Sequence, residues 1–249
     1  MNAQHHTFSP AELRAIRRSR RHPVITQHDY LHIRALVGGL TESFTHLPGP
    51  VADVLDVWCG SRPYEDMLPA GARCVGLDVE GNPYGVADVV SNALLPFADE
   101  SFDLVTCIQA FQYIPGPEHA VSEFQRVLRP GGTVLVSSVF GYWYLRSHFE
   151  ARYTEQALRA LFAGWDNVHV RENGGRTVTW AVLTGSLLHG MEQRLTMRSA
   201  LGFLRPAFLG SYALLNVLGL ALGRAEAGRE GPAALPMNLT LTARKPPRA

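Results

Sequence analysis

Residues 101–140, SFDLVTCIQAFQYIPGPEHAVSEFQRVLRPGGTVLVSSVF, hold a strand, a helix and a second strand in one continuous reading. SFDLVTCI is a short apolar run entered through the turn residues Ala98, Asp99 and Glu100. Over residues 117–128 the apolar positions return at helical spacing: Ala120, Val121, Phe124, Val127, Leu128. Pro130-Gly131-Gly132 is read as the stop, and TVLVSSVF as the next strand. Two strands joined through a helix lie parallel, with a right-handed crossover.

The same alternation extends outward. VADVLDVWC (51–59) reads as a first strand, ARCVGLDV (72–79) as a second and ADVV (87–90) as a short third. Before them Leu31, Ile33, Leu36, Val37, Leu40 and Phe44 mark a helix that Pro48-Gly49-Pro50 breaks off. After them Thr154 is placed to cap EQALRALFAGW, VHVREN (168–173) reads as a strand, and MNLTLTARKP (237–246) as the last. Strands alternating with helices predict an α/β doubly wound sheet covered on both faces.

In such a sheet ligands bind at the carboxyl ends of the strands, where strand order reverses. The first strand runs into Asp56-Val57-Trp58-Cys59-Gly60-Ser61, a loop a ligand can approach through its glycine. Asp78 ends the second strand eighteen positions after Gly60, close to the separation of about twenty at which an acid meets ribose hydroxyls.

VLDVWCGSRPYEDML, VGLDV, NALLPFADESFDLVTCIQAFQYIP and FQRVLRPGGTVLVSS resemble, in order, the successive motifs of class I S-adenosylmethionine-dependent methyltransferases, over roughly residues 51–175. The resemblance implies a Rossmann-like, mostly parallel seven-stranded sheet with an antiparallel last strand, and S-adenosylmethionine as cofactor. It implies that Asp56, Gly60 and Ser61 belong to the loop receiving the methionine moiety. It sets Asp78 at the ribose diol, Asn92 near the adenine amino group and Gln109 beside the sulfonium. It assigns no catalytic side chain and no metal site. The chain departs from the family where Trp58 and Arg62 replace common glycines and Gln112-Tyr113 replaces a frequent Glu-His pair. His148, in the aromatic loop 140–149, is the best-placed histidine for a general base, although such residues more often serve packing.

The rest of the chain divides into a basic, loosely held leader (1–27), the core (28–175), an apolar helical insertion (176–235) and the last strand with its tail (236–249). Residues 206–223 carry no charge. Eighteen residues is near the lower limit for a membrane span. Three glycines, a proline and an asparagine dilute the run, and a span would part the last strand from its sheet, so spanning is not expected. A cap beside the cofactor cleft, a homodimer face or a membrane-resting face all satisfy that composition.

With 23 Lys plus Arg against 22 Asp plus Glu, no global footprint for nucleic acid is present. Three cysteines on strand-like segments predict buried free thiols, with Cys59 and Cys107 on neighbouring strands. The N-terminal sequence resembles no export signal, so a cytoplasmic protein is expected, with peripheral membrane association open. The leading functional expectation is methyl transfer to a small-molecule, sugar or lipid-linked acceptor. The alternatives are a degenerate domain acting as a binding partner and an NAD-dependent oxidoreductase. The latter requires G-x-G-x-x-G, of which CGSRPY supplies one glycine.

Overall fold

The computed structural model of the chain describes residues 8–91, 95–142, 149–196, 200–226 and 235–247. Seven strands form one sheet: β1 Asp53–Val57, β2 Arg73–Asp78, β3 Val89–Val90, β4 Phe102–Ile108, β5 Leu128–Val139, β6 Asp166–Asn173 and β7 Asn238–Arg244. Their order is β3-β2-β1-β4-β5-β7-β6. The first five pair parallel, and β7 lies antiparallel between β5 and β6. Strand order reverses between β1 and β4, so a crevice opens at their carboxyl ends.

Residues alternate to both faces and are buried on both, the burial that parallel sheets demand. Leu55, Val57, Val105, Cys107, Val134 and Val136 point to one side, where Val121, Phe124 and Val127 of α3 (Pro117–Val127) cover them. Val54, Leu104 and Leu135 point to the other, under Leu36, Leu40 and Phe44 of α2 (Tyr30–Thr45). Thr154 caps α4 (Glu155–Leu161) by accepting from the Ala157 amide.

Three features differ from the sequence reading or extend it. The Pro-Gly-Gly expected to separate helix from strand lies inside β5, which starts at Leu128 directly after α3. Phe102 pairs with Leu128, and regular pairing resumes only at Leu104 with Thr133. The extra residues bulge, with Gly131 at φ +75° and the chain after β7 closing on them through Gly131 N to Lys245 O (3.0 Å) and Lys245 N to Gly132 O (2.8 Å).

Within the leader, residues 10–21 form α1 (Pro10–Arg21) behind a capping box of Ser9 and Glu12. The insertion is a pair of helices, α5 (Arg176–Thr196) and α6 (Arg205–Glu226), held end to end by Arg176 on Glu226 (2.9 Å). It rests on α2, where Gly219 lets α6 approach Leu31 and Gly185 lets α5 approach the His28 carbonyl.

Candidate functional site

The loop after β1 turns through three left-handed residues, Trp58 (φ 55°), Gly60 (φ 58°) and Arg62 (φ 55°). Glycine takes such angles freely, whereas a residue with a Cβ is strained there. A Cβ on Gly60 would meet no atom within 4 Å, so this stretch of backbone has open space beside it. Two anchors fix its shape from below. Arg62 donates to Asp88 (2.7 Å), Glu65 (2.8 Å) and the Cys74 carbonyl (3.0 Å). From α1, Arg17 Nε donates to the Ser61 carbonyl (2.6 Å).

Asp78 is buried at the end of β2. Its Oδ2 accepts from the Gly60 amide (2.7 Å) and from the Asn82 side chain, and its Oδ1 accepts from the Val79 amide (2.8 Å). The acid therefore fastens the glycine loop to β2. Oδ1 has a single partner among the described residues and keeps acceptor capacity.

Asp56 stands one residue before the end of β1, and its Oδ1 accepts from Thr106 Oγ1 on β4 (2.8 Å). Burial pushes its carboxyl up to about 7, against the pull of that hydrogen bond and of Arg62. Gln109, just past β4, is left-handed as well (φ 57°). Its amide and its side-chain Nε2 both donate to Ser137 Oγ (3.0 Å each), and Gln112 Nε2 donates to its carbonyl (2.9 Å).

Asp56, Gly60, Ser61, Asp78 and Gln109 thus gather around the carboxyl ends of β1, β2 and β4. Asn92 and His148 lie outside the described residues. Beside this group a cavity of ≈ 120 Å³ is lined by Trp58, Leu77, Ser91, Leu95 and Ile114, among others. The indole therefore forms one wall of the slot. A larger groove of ≈ 640 Å³ runs past Glu42, His169 and Arg244. It reaches the sheet at Thr133 of β5, opposite Arg244 at the end of β7, away from the reversal point between β1 and β4.

Sequence reasoning missed His32. This α2 residue is buried, and its Nδ1 has no hydrogen-bond partner among the described residues. Its ring meets Tyr142 edge-on (centroids 5.5 Å), and the nearby Gln109 side chain pulls its pKa upward against burial. Burial lowers its pKa to about 4, so it is neutral at physiological pH. The only sequence signal was a histidine inside an apolar run, YLHIRALV.

All three cysteines are free. Cys107 lies on β4 beside β1, whereas Cys59, expected on the neighbouring strand, lies in the loop two residues past the end of β1; both are buried. Cys74 corrects the expectation of three buried thiols, being only half-buried on β2. Burial raises all three thiol pKa values, that of Cys74 to about 12.

Residues 55–136 match the family model described as methyltransferase domain. The malonyl-acyl-carrier-protein O-methyltransferase of Methylococcus capsulatus is 34% identical over 151 residues, 49% of this chain and 55% of that protein. The ubiquinone biosynthesis O-methyltransferase of Burkholderia vietnamiensis is 30% identical over 127 residues, 45% of this chain and 53% of that protein. The chain thus spans about half the length of these two curated relatives. Among solved structures, the cyclase SpnF superposes with a TM-score of 0.53 at 22% identity, covering 88% of this chain and 83% of its own. Residues 55–136, which carry the glycine loop, Asp78 and Gln109, thus match a methyltransferase domain, and the sheet order is that of the class I Rossmann-like methyltransferase fold.

Proposed function

We propose that the protein transfers the methyl group of S-adenosylmethionine to an oxygen of a small-molecule, sugar or lipid-linked acceptor. The observation that carries this reading is the joint between Asp78 and the Gly60 loop. It sets an acid with spare acceptor capacity at the end of β2, beside open backbone, at the point where strand order reverses. The oxygen acceptor is supported by the names of both curated relatives, which are O-methyltransferases.

The residues present fit the cofactor. Asp78 Oδ1 is free to accept from a ribose hydroxyl. The Trp58 slot offers an apolar wall of Leu77, Leu95 and Ile114 to a flat base. Asp56, poised at about 7, ionises readily when a cation such as the methionine ammonium comes beside it. When bound, S-adenosylmethionine supplies an electrophilic methyl on a sulfonium.

The chain's own work is then mainly orientation and exclusion of water, which supply much of the acceleration for a transfer needing no covalent intermediate. Gln109 is held by Ser137 with its side-chain nitrogen committed, leaving the amide oxygen as its acceptor. Beside it His32 is neutral, the state in which an imidazole can take a proton from an acceptor hydroxyl.

Calorimetry with S-adenosylmethionine, and with NAD as control, tests the binding half. Wild type should bind the first and ignore the second. Asp78→Ala should lose about 1.5–3 kcal/mol of affinity, the range for hydrogen bonds to a charged group. Unchanged affinity in that variant would sink the ribose assignment. Transfer of labelled methyl to hydroxylated aromatic and acyl-thioester acceptors tests the other half.

A further inference from the structure

The helical insertion leaves much of its apolar surface in water. On α6, Leu214 is 61% exposed, Val217 54% and Leu222 51%. On α5, Trp180 is 52% exposed and Leu187 59%, one stripe at a spacing of seven. Leu201–Glu226 is the one segment among the described residues long and apolar enough to cross a membrane, and only 17% of its most apolar window is buried.

A span is ruled out by what the other side of α6 does. Asn216 Nδ2 donates to the carbonyls of Ile25 (2.7 Å) and Gln27 (2.8 Å), and Tyr212 donates to Glu192 on α5 (2.8 Å). Gly219 presses onto Leu31 of α2. One side of the helix belongs to the protein and the other is left over.

Charge selects the occupant. Between residues 177 and 225 the sequence contains one acid, Glu192, which is buried. Arg194, Arg205 and Arg224 are exposed on the same two helices. A second copy docked on this face by two-fold symmetry would bring Arg194 and Arg224 of both copies into one seam, and Glu192 is already engaged with Arg205 (3.6 Å). An anionic lipid surface meets both demands: headgroups neutralise arginines while the apolar residues enter the acyl boundary. Trp180 is of the type that suits such an interface, with an apolar ring and a polar N–H.

We infer that the outer face of α5 and α6 is a docking surface for the anionic surface of a lipid bilayer, the protein resting on the membrane without crossing it. This inference stands apart from the methyl-transfer reading.

Flotation of the full chain with vesicles tests it, comparing pure phosphatidylcholine with phosphatidylcholine mixed equally with phosphatidylglycerol. Wild type should float with the anionic vesicles and bind pure phosphatidylcholine at least tenfold more weakly, with high salt reducing the difference. Leu214→Glu should lower anionic-vesicle binding at least tenfold. Its thermal midpoint and S-adenosylmethionine affinity should stay at wild-type values, because the side chain touches mostly water. Leu187→Glu on α5 provides the same comparison should Leu214→Glu prove unstable. Wild type that stays unbound at every composition overturns the inference. So does wild type that is a concentration-dependent dimer in sedimentation and is made monomeric by Leu214→Glu, since a second copy then covers the face. Loss of cofactor binding with intact flotation would count against the methyltransferase reading alone.

Discussion

Trp58 holds a conformation that its neighbours in the loop explain better than its own chemistry. The turn from β1 toward Arg62 needs a left-handed residue there, and tryptophan takes it at φ 55°. That backbone costs a residue with a Cβ about 1–2 kcal/mol. The half-buried indole offsets the cost by packing against the main core and walling the small cavity. Truncation separates the two effects. Trp58→Ala loses the indole and keeps the strain, whereas Trp58→Gly loses the indole and relieves it. Trp58→Gly should therefore be the more stable variant by about 1 kcal/mol, the reverse of the usual order for alanine and glycine. Chemical denaturation of the pair decides this, and alanine proving the more stable would show that the loop relaxes out of the left-handed region. The same site shows why Asp78→Ala has a second reach: Asp78 also grips the Gly60 amide, so its loss loosens the loop as well as the ribose contact.

At the scale of elements, α1 ties the leader to the candidate site. Its Arg17 holds the Ser61 carbonyl, and its Arg21 pairs with Asp66 just beyond the same loop. Arg17→Ala should cost about 1 kcal/mol of stability, a partly exposed charge-assisted bond. It should also speed hydrogen exchange in residues 59–64 and weaken S-adenosylmethionine binding several-fold. Exchange and affinity at wild-type levels would make α1 an appendage. The sequence reading took the arginine density of RRSRR as a sign of looseness because it has no access to a carbonyl presented forty-four residues later. What it reads well is periodicity. The parallel strands, α3 and the cap at Thr154 all follow from local pattern. It places Gly60 and Asp78 at adjacent strand ends because strand length fixes where a loop emerges. It fails where tertiary pairing overrides local chemistry, as when Lys245 draws Pro-Gly-Gly into β5. It fails again at His32, whose meeting with Gln109 joins a helix to a strand end far away in sequence.

Across the whole molecule, two buried titratable groups pull stability in opposite directions with pH. Asp56 has its carboxyl raised from the ordinary 3.8 to about 7, so between those limits the folded state binds a proton that the unfolded state does not. Its contribution grows as pH falls from 7 toward 4. His32 is lowered from 6.5 to about 4 by burial, so across that window the unfolded chain binds the extra proton and stability falls as pH falls. His28, stacked on His189 of α5 at 4.0 Å, is lowered by burial too and adds to the second effect. The Asp56 and His32 windows overlap almost fully, so those two groups nearly cancel between pH 6.5 and 4.5, and His28 leaves wild type a net loss of thermal midpoint as pH falls. Single variants should expose the balance. Asp56→Asn removes the compensating term and should make the protein markedly more acid-labile than wild type. His32→Phe keeps a ring of similar size, removes the opposing term, and should raise the midpoint at pH 4.5 relative to that at pH 7. Calorimetric scans at those pH values check both slopes. Parallel shifts, with no change in pH dependence for either variant, would mean that neither group is held in its buried state by the fold, and the poised carboxyl beside the glycine loop would lose its physical basis.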